Sequence, residues 1–329
     1  MRVFVFVNRV NEIGYRQTTA LLIAAAVRLG HEVFLANVDG ISQTQNGVQL
    51  NAVAVQCKPA SKTIDSLSIT EFAEKTTEDQ YEKPEICNGD AILIRTNPGR
   101  DIERREQHQN FVSICKNATQ LGVVVINDPS QLDFFANKSA INCLPKTCRP
   151  ETIVARDLET ALEFWQDARR DCVVKPPVGS RGKGVTRIRL DHPNPAELLE
   201  HLVDSEGTVI QHFIESDEIG DKRIVVLDGK LLEHGYHLAG IHRIPAPGEF
   251  RANIHIGGTA QPLTLSSCEK KSALTAAGLL FKNGVRLAGI DLVGSQVIEF
   301  NVFSTGGLFD ANRFANFDFS DEIVRMLLG

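Results

Sequence analysis

An unbroken apolar run opens the chain: Val3-Phe4-Val5-Phe6-Val7, with no polar alternation. Such a run reads as a strand buried on both faces, and strands of that kind belong to parallel sheets covered by helices. The next residues agree. Leu21, Leu22, Ala25 and Leu29 recur at helical spacing within Thr18 to Leu29, Gly30 follows, and His31-Glu32-Val33-Phe34-Leu35 reads as a second strand. This is a β-α-β unit. Further buried strands are expected at Asp90 to Arg95 and at Val123 to Asn127, with short strands and loops in the polar stretch from Gln43 to Lys83. The first turn lacks G-x-G-x-x-G, so the scaffold is Rossmann-like without the dinucleotide fingerprint.

At 329 residues the chain exceeds one ordinary core, and two or three subdomains sharing a cleft are expected. A formal charge of -6 gives no broad basic footprint, which argues against a nucleic-acid partner. No apolar stretch approaches the length of a membrane span, and the opening run is too short for a secretory signal. The seven cysteines (Cys57, Cys87, Cys115, Cys143, Cys148, Cys172, Cys268) are scattered, with no Cys-x-x-Cys, and read as reduced thiols. These features fit a cytoplasmic enzyme acting on small molecules.

Prolines from Pro145 to Pro150 punctuate the chain before a small α+β segment. Its expected elements are a helix at Leu158 to Asp167, a strand at Cys172 to Lys175, a glycine-rich loop, a strand at Thr186 to Leu190, a helix at Ala196 to Leu202 and a strand at Thr208 to Gln211. A hairpin at Lys222 to Leu232, a helix at Ser272 to Phe281, paired strands at Gly289 to Asp291 and Val297 to Asn301, and a terminal helix should follow. The division expected is 1–127, 128–212 and 213–329.

Two constellations carry chemistry. Lys175 ends an apolar strand and leads into Pro176-Pro177-Val178-Gly179-Ser180-Arg181-Gly182-Lys183-Gly184. Backbone amides freed of Cβ atoms can wrap phosphate oxygens there, with Arg181 and Lys183 adding charge; the spacing is not that of a Walker A loop. Taken alone, the segment also reads as an exposed hairpin turn. Farther on, Asp291, Glu299 and Asn301 lie on two strands expected to pair, and alternation puts Glu299 and Asn301 on one face. Three oxygen donors of this kind suit Mg²⁺ beside nucleotide phosphates; the alternative is a solvated sheet face.

These pieces stand in the order and spacing of the ATP-grasp ligases, and the chain most resembles the bacterial glutathione synthetases. The likeness is carried by Gly220 through Gly229, by Arg243-Ile244-Pro245 through Arg251-Ala252-Asn253 to Gly258, and by Gly289-Ile290-Asp291 through Glu299-Phe300-Asn301-Val302. It implies an α/β ATP-grasp fold with an N-terminal Rossmann-like (pre-ATP-grasp) domain and a small lid. It implies ATP as the nucleotide, with two Mg²⁺ ions (Mn²⁺ admitted) at Asp291, Glu299 and Asn301. Lys138 and Lys175 would clamp the phosphates under Gly179, Ser180, Arg181 and Gly182. The segment Gln211-His212-Phe213-Ile214 would offer its backbone edge to adenine, Asp221 would sit by the phosphates, and Arg223, Arg251 and Asn253 would be the catalytic groups.

The same likeness implies γ-glutamylcysteine as acid and glycine as amine, contacted by Gln17, Thr18, Thr19 and Arg95, with Ser304 and Thr305 at a substrate carboxylate; a homo-oligomer is also implied. The chain departs from the family pattern at Phe303-Ser304-Thr305-Gly306-Gly307, where Ser-Pro-Thr is usual, and in a long segment from Glu233 to His242. Those departures keep open a RimK-like ligase joining another amino acid or peptide. A nucleotide-sensing subunit without turnover and a phosphotransferase are the readings from other classes. His234, His237 and His242 form no ordinary four-ligand zinc set, and Trp165 reads as packing.

Overall fold

The computed structural model describes residues 1–44, 47–56, 64–216 and 218–329; Cys57 and part of the polar stretch lie outside them. The opening run forms β1 (Arg2–Val7), followed by α1 (Thr18–Arg28) and β2 (Glu32–Asn37). After β3 (Val53–Ala54) and α2 (Ser66–Lys75) come β4 (Ala91–Ile94), α3 (Arg105–Gln120) and β5 (Val124–Ile126). They make a sheet of order β3-β2-β1-β4-β5, parallel except for β3. Helix α2 falls where only short strands and loops are expected. Asp65 caps it by accepting from the Ser68 amide, and Ile69 and Ala73 bury one face, a short amphipathic signal diluted by the polar residues around it.

The second sheet has the order β8-β7-β9-β6, all antiparallel, from β6 (Thr152–Ala155), β7 (Cys172–Lys175), β8 (Thr186–Ile188) and β9 (Thr208–His212). Helices α4 (Leu158–Ala168) and α5 (Pro195–Leu202) cover it and close a small core around Trp165, Val174, Leu199 and Ile210. Strand β6 is a further element beyond those read from the sequence; it is short and half apolar, and its pairing with β9 decides its state.

The third sheet runs β13-β12-β10-β14-β15, with β11 (Lys230–Leu231) hairpinned on β10 (Asp221–Leu227). Its other strands are β12 (Gly240–Ile244), β13 (Thr259–Pro262), β14 (Leu287–Val293) and β15 (Gln296–Asn301). Helix α6 (Ser267–Lys282) starts earlier than its apolar spacing indicates because Ser266 and Glu269 form a reciprocal capping box. The chain ends in two helices rather than one, α7 (Leu308–Ala315) and α8 (Phe319–Leu328), broken at Asn316 in the left-handed region (φ 48°).

The first and third sheets are not independent. One core joins Phe4, Phe6 and Ile92 to Ile224, Val226 and Phe300, and another joins Leu22 and Leu93 to Val225, Leu227 and Phe319. Between them the Asn127 side chain, buried after β5, donates to Leu287 O and Val302 O and accepts from Leu287 N, each at 2.8 Å. The small second sheet keeps its own core and overhangs the other two.

Candidate functional site

The overhang leaves a cleft with a cavity of about 500 Å³, walled by all three sheets. Its floor is set by strand register. Arg223 on β10 lies opposite Asp291 on β14, which lies opposite Glu299 on β15, while Asp221 pairs with Arg243 on β12. Directly opposed residues project to the same face, so one sheet surface gathers all five charges.

Asp291 accepts from Arg223 Nε and Nη2 at 2.7 and 2.6 Å and from Arg243 Nη2 at 2.8 Å. Burial opposes its ionisation, but the two guanidinium groups outweigh that and hold the carboxyl well below the usual range. Arg243 also donates to Asp221 at 2.5 Å. Asn301 accepts from Arg223 at 3.3 Å, and its buried amide nitrogen has no partner. Glu299 is half-buried, and among the described residues its one ion pair is with Lys138, at 4.0 Å.

Two lysines face this floor. Lys175, at the end of β7, donates to Gln211 Oε1 at 2.9 Å and Ile298 O at 3.2 Å. Burial pushes its ammonium down to about 8, with Lys138 adding to the effect and Glu299 opposing it. Lys138 donates to Gly179 O at 3.1 Å, which ties it to the glycine-rich loop. In that loop Arg181, Gly182 and Gly184 have φ of 58°, 71° and 72°, left-handed turn backbone of the kind that forms anion-binding concavities. Ser180 Oγ donates across the cleft to Gly99 O at 3.2 Å, and Arg251 donates to Gly182 O at 3.0 Å while paired with Glu249 at 2.6 Å. That pair, with two backbone amides, holds the Glu249 carboxyl down to about 2.

Gln211, His212, Phe213 and Ile214 border the cleft. The His212 and Phe213 amides are spent on Glu151 O and Asp171 O; among the described residues the Ile214 amide has no partner. The Gln211 side chain turns to Lys175 and Thr152.

The structure therefore gathers Lys138, Lys175, Gly179 to Gly182, Gln211 to Ile214, Asp221, Arg223, Arg251, Asn253, Asp291, Glu299, Asn301 and Ser304 around one cavity. Gln17, Thr18, Thr19, Arg95 and Thr305 do not line it: Gln17 is exposed, and the other four are buried. Arg95 is buried, donates to Thr19 Oγ1 and Thr305 O at 3.2 Å each, and is pushed down to about 10 by burial with Arg100 adding to it. Gln17 caps α1 and donates to Glu12 O. Residues not read from the sequence also line the cleft: Asn97, Arg100, Arg243, Glu249 and His255. Asn97 and Arg100 follow β4, and the carboxyl ends of central parallel strands are where such sheets bind ligands, a signal that was available. Of the three histidines, His234 stacks on Phe317 at 3.8 Å and His242 faces Ile219 O.

Hard oxygen donors suit a divalent cation that takes most of its ligands from phosphate and water. The Glu299 carboxylate has oxygens to offer, the Asn301 oxygen is shared with Arg223, and the Asp291 oxygens are shared with two arginines. Among the described residues no group of three His, Cys, Asp or Glu is arranged to hold a metal unaided.

The model of the prokaryotic glutathione synthetase ATP-grasp domain matches residues 137–316, and that of the N-terminal domain of the same family matches residues 1–132. A glutathione synthetase of Xanthomonas axonopodis pv. citri is 32% identical over 294 residues, 88% of this chain and 85% of its own length. One from Prochlorococcus marinus is 33% identical over 231 residues, 70% of this chain and 73% of its own. Among solved structures, the macrocyclase MdnC of Microcystis aeruginosa superposes with a TM-score of 0.61 over 100% of both chains at 14% identity. The D-cycloserine synthetase DcsG gives 0.57 over 95% and 99% of the two chains at 17% identity. At such identities the likeness is one of fold, and the fold is ATP-grasp.

Proposed function

The chain belongs to the prokaryotic glutathione synthetase family of ATP-dependent ligases, and we propose that this cleft joins γ-glutamylcysteine to glycine through an acyl phosphate. The observation that carries the reading is the convergence of two buried lysines, a left-handed glycine loop and Glu299 with Asn301 on one cavity. In this reading the acid's carboxylate attacks the γ-phosphate, ADP leaves, and the amine then displaces phosphate. No side-chain nucleophile is needed.

Lys138 and Lys175 hold the phosphates, the amides of 179–182 cover them, and the free Ile214 amide with its neighbouring carbonyls receives adenine. Arg251 steadies the transferred group from the loop side, with Asn253 beside it. Arg223 is fixed by Asp291 and serves by orientation and charge. Two like unit charges about 4 Å apart repel by roughly 4 kcal/mol at an effective dielectric near 20, so these cations matter most when the anionic acid approaches the polyphosphate. Two Mg²⁺ ions at Asp291, Glu299 and Asn301 would neutralise part of that charge when bound. Loop closure excludes water from the acyl phosphate. We place the protein in the cytoplasm, as a homo-oligomer.

The second reading, a RimK-like ligase for another amino acid or peptide, is favoured by the Ser304 to Gly307 loop at the cleft wall. ADP release is measured with ATP, Mg²⁺ and γ-glutamylcysteine, with and without glycine, and the product is weighed. Glycine-dependent release with a tripeptide product is expected; release without an amine requirement points to a phosphotransferase, and none at all sinks the γ-glutamylcysteine assignment.

A further inference from the structure

Four cations of the cleft have acidic partners: Arg223 and Arg243 share Asp291, Arg251 holds Glu249, and Lys138 stands by Glu299. Arg100 does not. Among the described residues it makes no ion pair, and its guanidinium makes no hydrogen bond, although it lines the cavity. The walls around it, then Arg181 and Arg223, draw its guanidinium down to about 10, and His255 is lowered by burial and by Arg181, Arg100 and Arg223. Arg100, Arg181, Arg223 and His255 thus stand close enough to disfavour one another's charge, and of the four Arg223 is held by Asp291. Like charges are held this close at a cost unless an anion arrives to sit between them.

The place of Arg100 says which anion. Arg181 belongs to the glycine-rich loop, whereas Arg100 belongs to the turn Pro98–Arg100 after β4, in the first-sheet wall that the loop meets through Ser180 and Gly99. Its polar neighbours on that wall are Asn97 and Ser304, themselves joined by an Asn97 Nδ2 to Ser304 Oγ bond of 3.4 Å. An acid whose reacting carboxylate reaches the lysine side extends its other end toward this wall. We propose that Arg100 receives the non-reacting carboxylate of the acyl donor and so selects dicarboxylic over monocarboxylic acids. A guanidinium suits the task because its fork of donors matches a carboxylate and stays charged.

This rests on the ligase reading above, and the test separates the two. Steady-state rates of the full chain are compared for γ-glutamylcysteine and for 4-aminobutyrylcysteine, which lacks only the glutamyl α-carboxylate. Arg100→Gln is expected to raise KM for γ-glutamylcysteine by about 10- to 100-fold, with kcat and the KM for ATP within about twofold. Arg100→Lys should recover part of the loss, and the decarboxylated analogue should not distinguish variant from wild type. A rise in KM for ATP or glycine instead, or equal losses with both acids, overturns the proposal. Binding is read separately by calorimetric titration of both acids in Mg²⁺ and AMP-PNP. A preference for the dicarboxylate that Arg100→Gln erases, without turnover, removes the ligase assignment and keeps the carboxylate site; equal or undetectable binding of the two acids removes the site.

Discussion

Lys175 is the residue whose state depends most directly on pH. Its ammonium, pushed down to about 8 by burial, is charged below that value and neutral above it. Since the charged form is the one that binds phosphate, kcat/KM for ATP should fall about tenfold per unit above roughly pH 8. Bound polyphosphate restores the charge, so kcat should fall less over the same range; a kcat/KM for ATP that stays flat to about pH 9.5 would count against the assignment. Lys175, Glu299 and Asn301 were legible in the sequence because strand alternation fixes which face a side chain takes. Arg243 and Glu249 were not: they act through partners on other strands, and a single strand's pattern does not reveal its cross-strand register. Arg95 shows the opposite case. It can be singled out by motif, yet its guanidinium is drawn into a buried bridge between Thr19 and Thr305.

At the scale of elements, the glycine-rich loop is strained in a useful direction. Gly182 sits at φ 71°, and a Cβ there would lie 2.8 Å from Asn253 Oδ1. Gly182→Val should therefore hold the loop off Arg251 and Asn253, lowering kcat/KM for ATP by about tenfold or more while leaving the melting temperature near that of wild type. An unchanged kcat/KM would mean that the loop need not adopt this conformation during turnover. Long apolar strands and helices with clear spacing, such as β1, α1 and α4, were readable because their burial pattern is set by their own residues. Helix α2 as a whole and the start of α6 were not: α2 has only a short apolar face among polar residues, and a capping box rather than apolar periodicity decides where α6 begins.

Over the whole molecule, closure is a contact between bodies. Ser180 reaches Gly99 O and Arg251 reaches Gly182 O, so a closed loop is held from both walls. Arg181 and Lys183 are exposed in the loop and offer trypsin two adjacent cleavage points. Mg²⁺ with AMP-PNP should slow cleavage there by about tenfold, and adding γ-glutamylcysteine should slow it further. Nucleotide-independent cleavage would show that the loop does not close on phosphate. That three sheets surround one cleft could be foreseen from chain length and motif order. That two of them share their cores could not, because one cluster takes in residues as far apart in the chain as Phe4 and Phe300.

Asn127 has a consequence for how such an enzyme can diversify. By stitching β5 to Leu287 and Val302 it joins the first and third sheets into one anvil, while the small sheet keeps a core of its own. The joined part carries Asn97, Arg100 and Ser304 together with Asp291, Glu299 and Asn301; the small sheet carries Lys175, the glycine-rich loop and Gln211. New acids or amines can then be tried by rewriting Asn97, Arg100 or Ser304 one residue at a time, with the small sheet's share of the hold on ATP inherited unchanged.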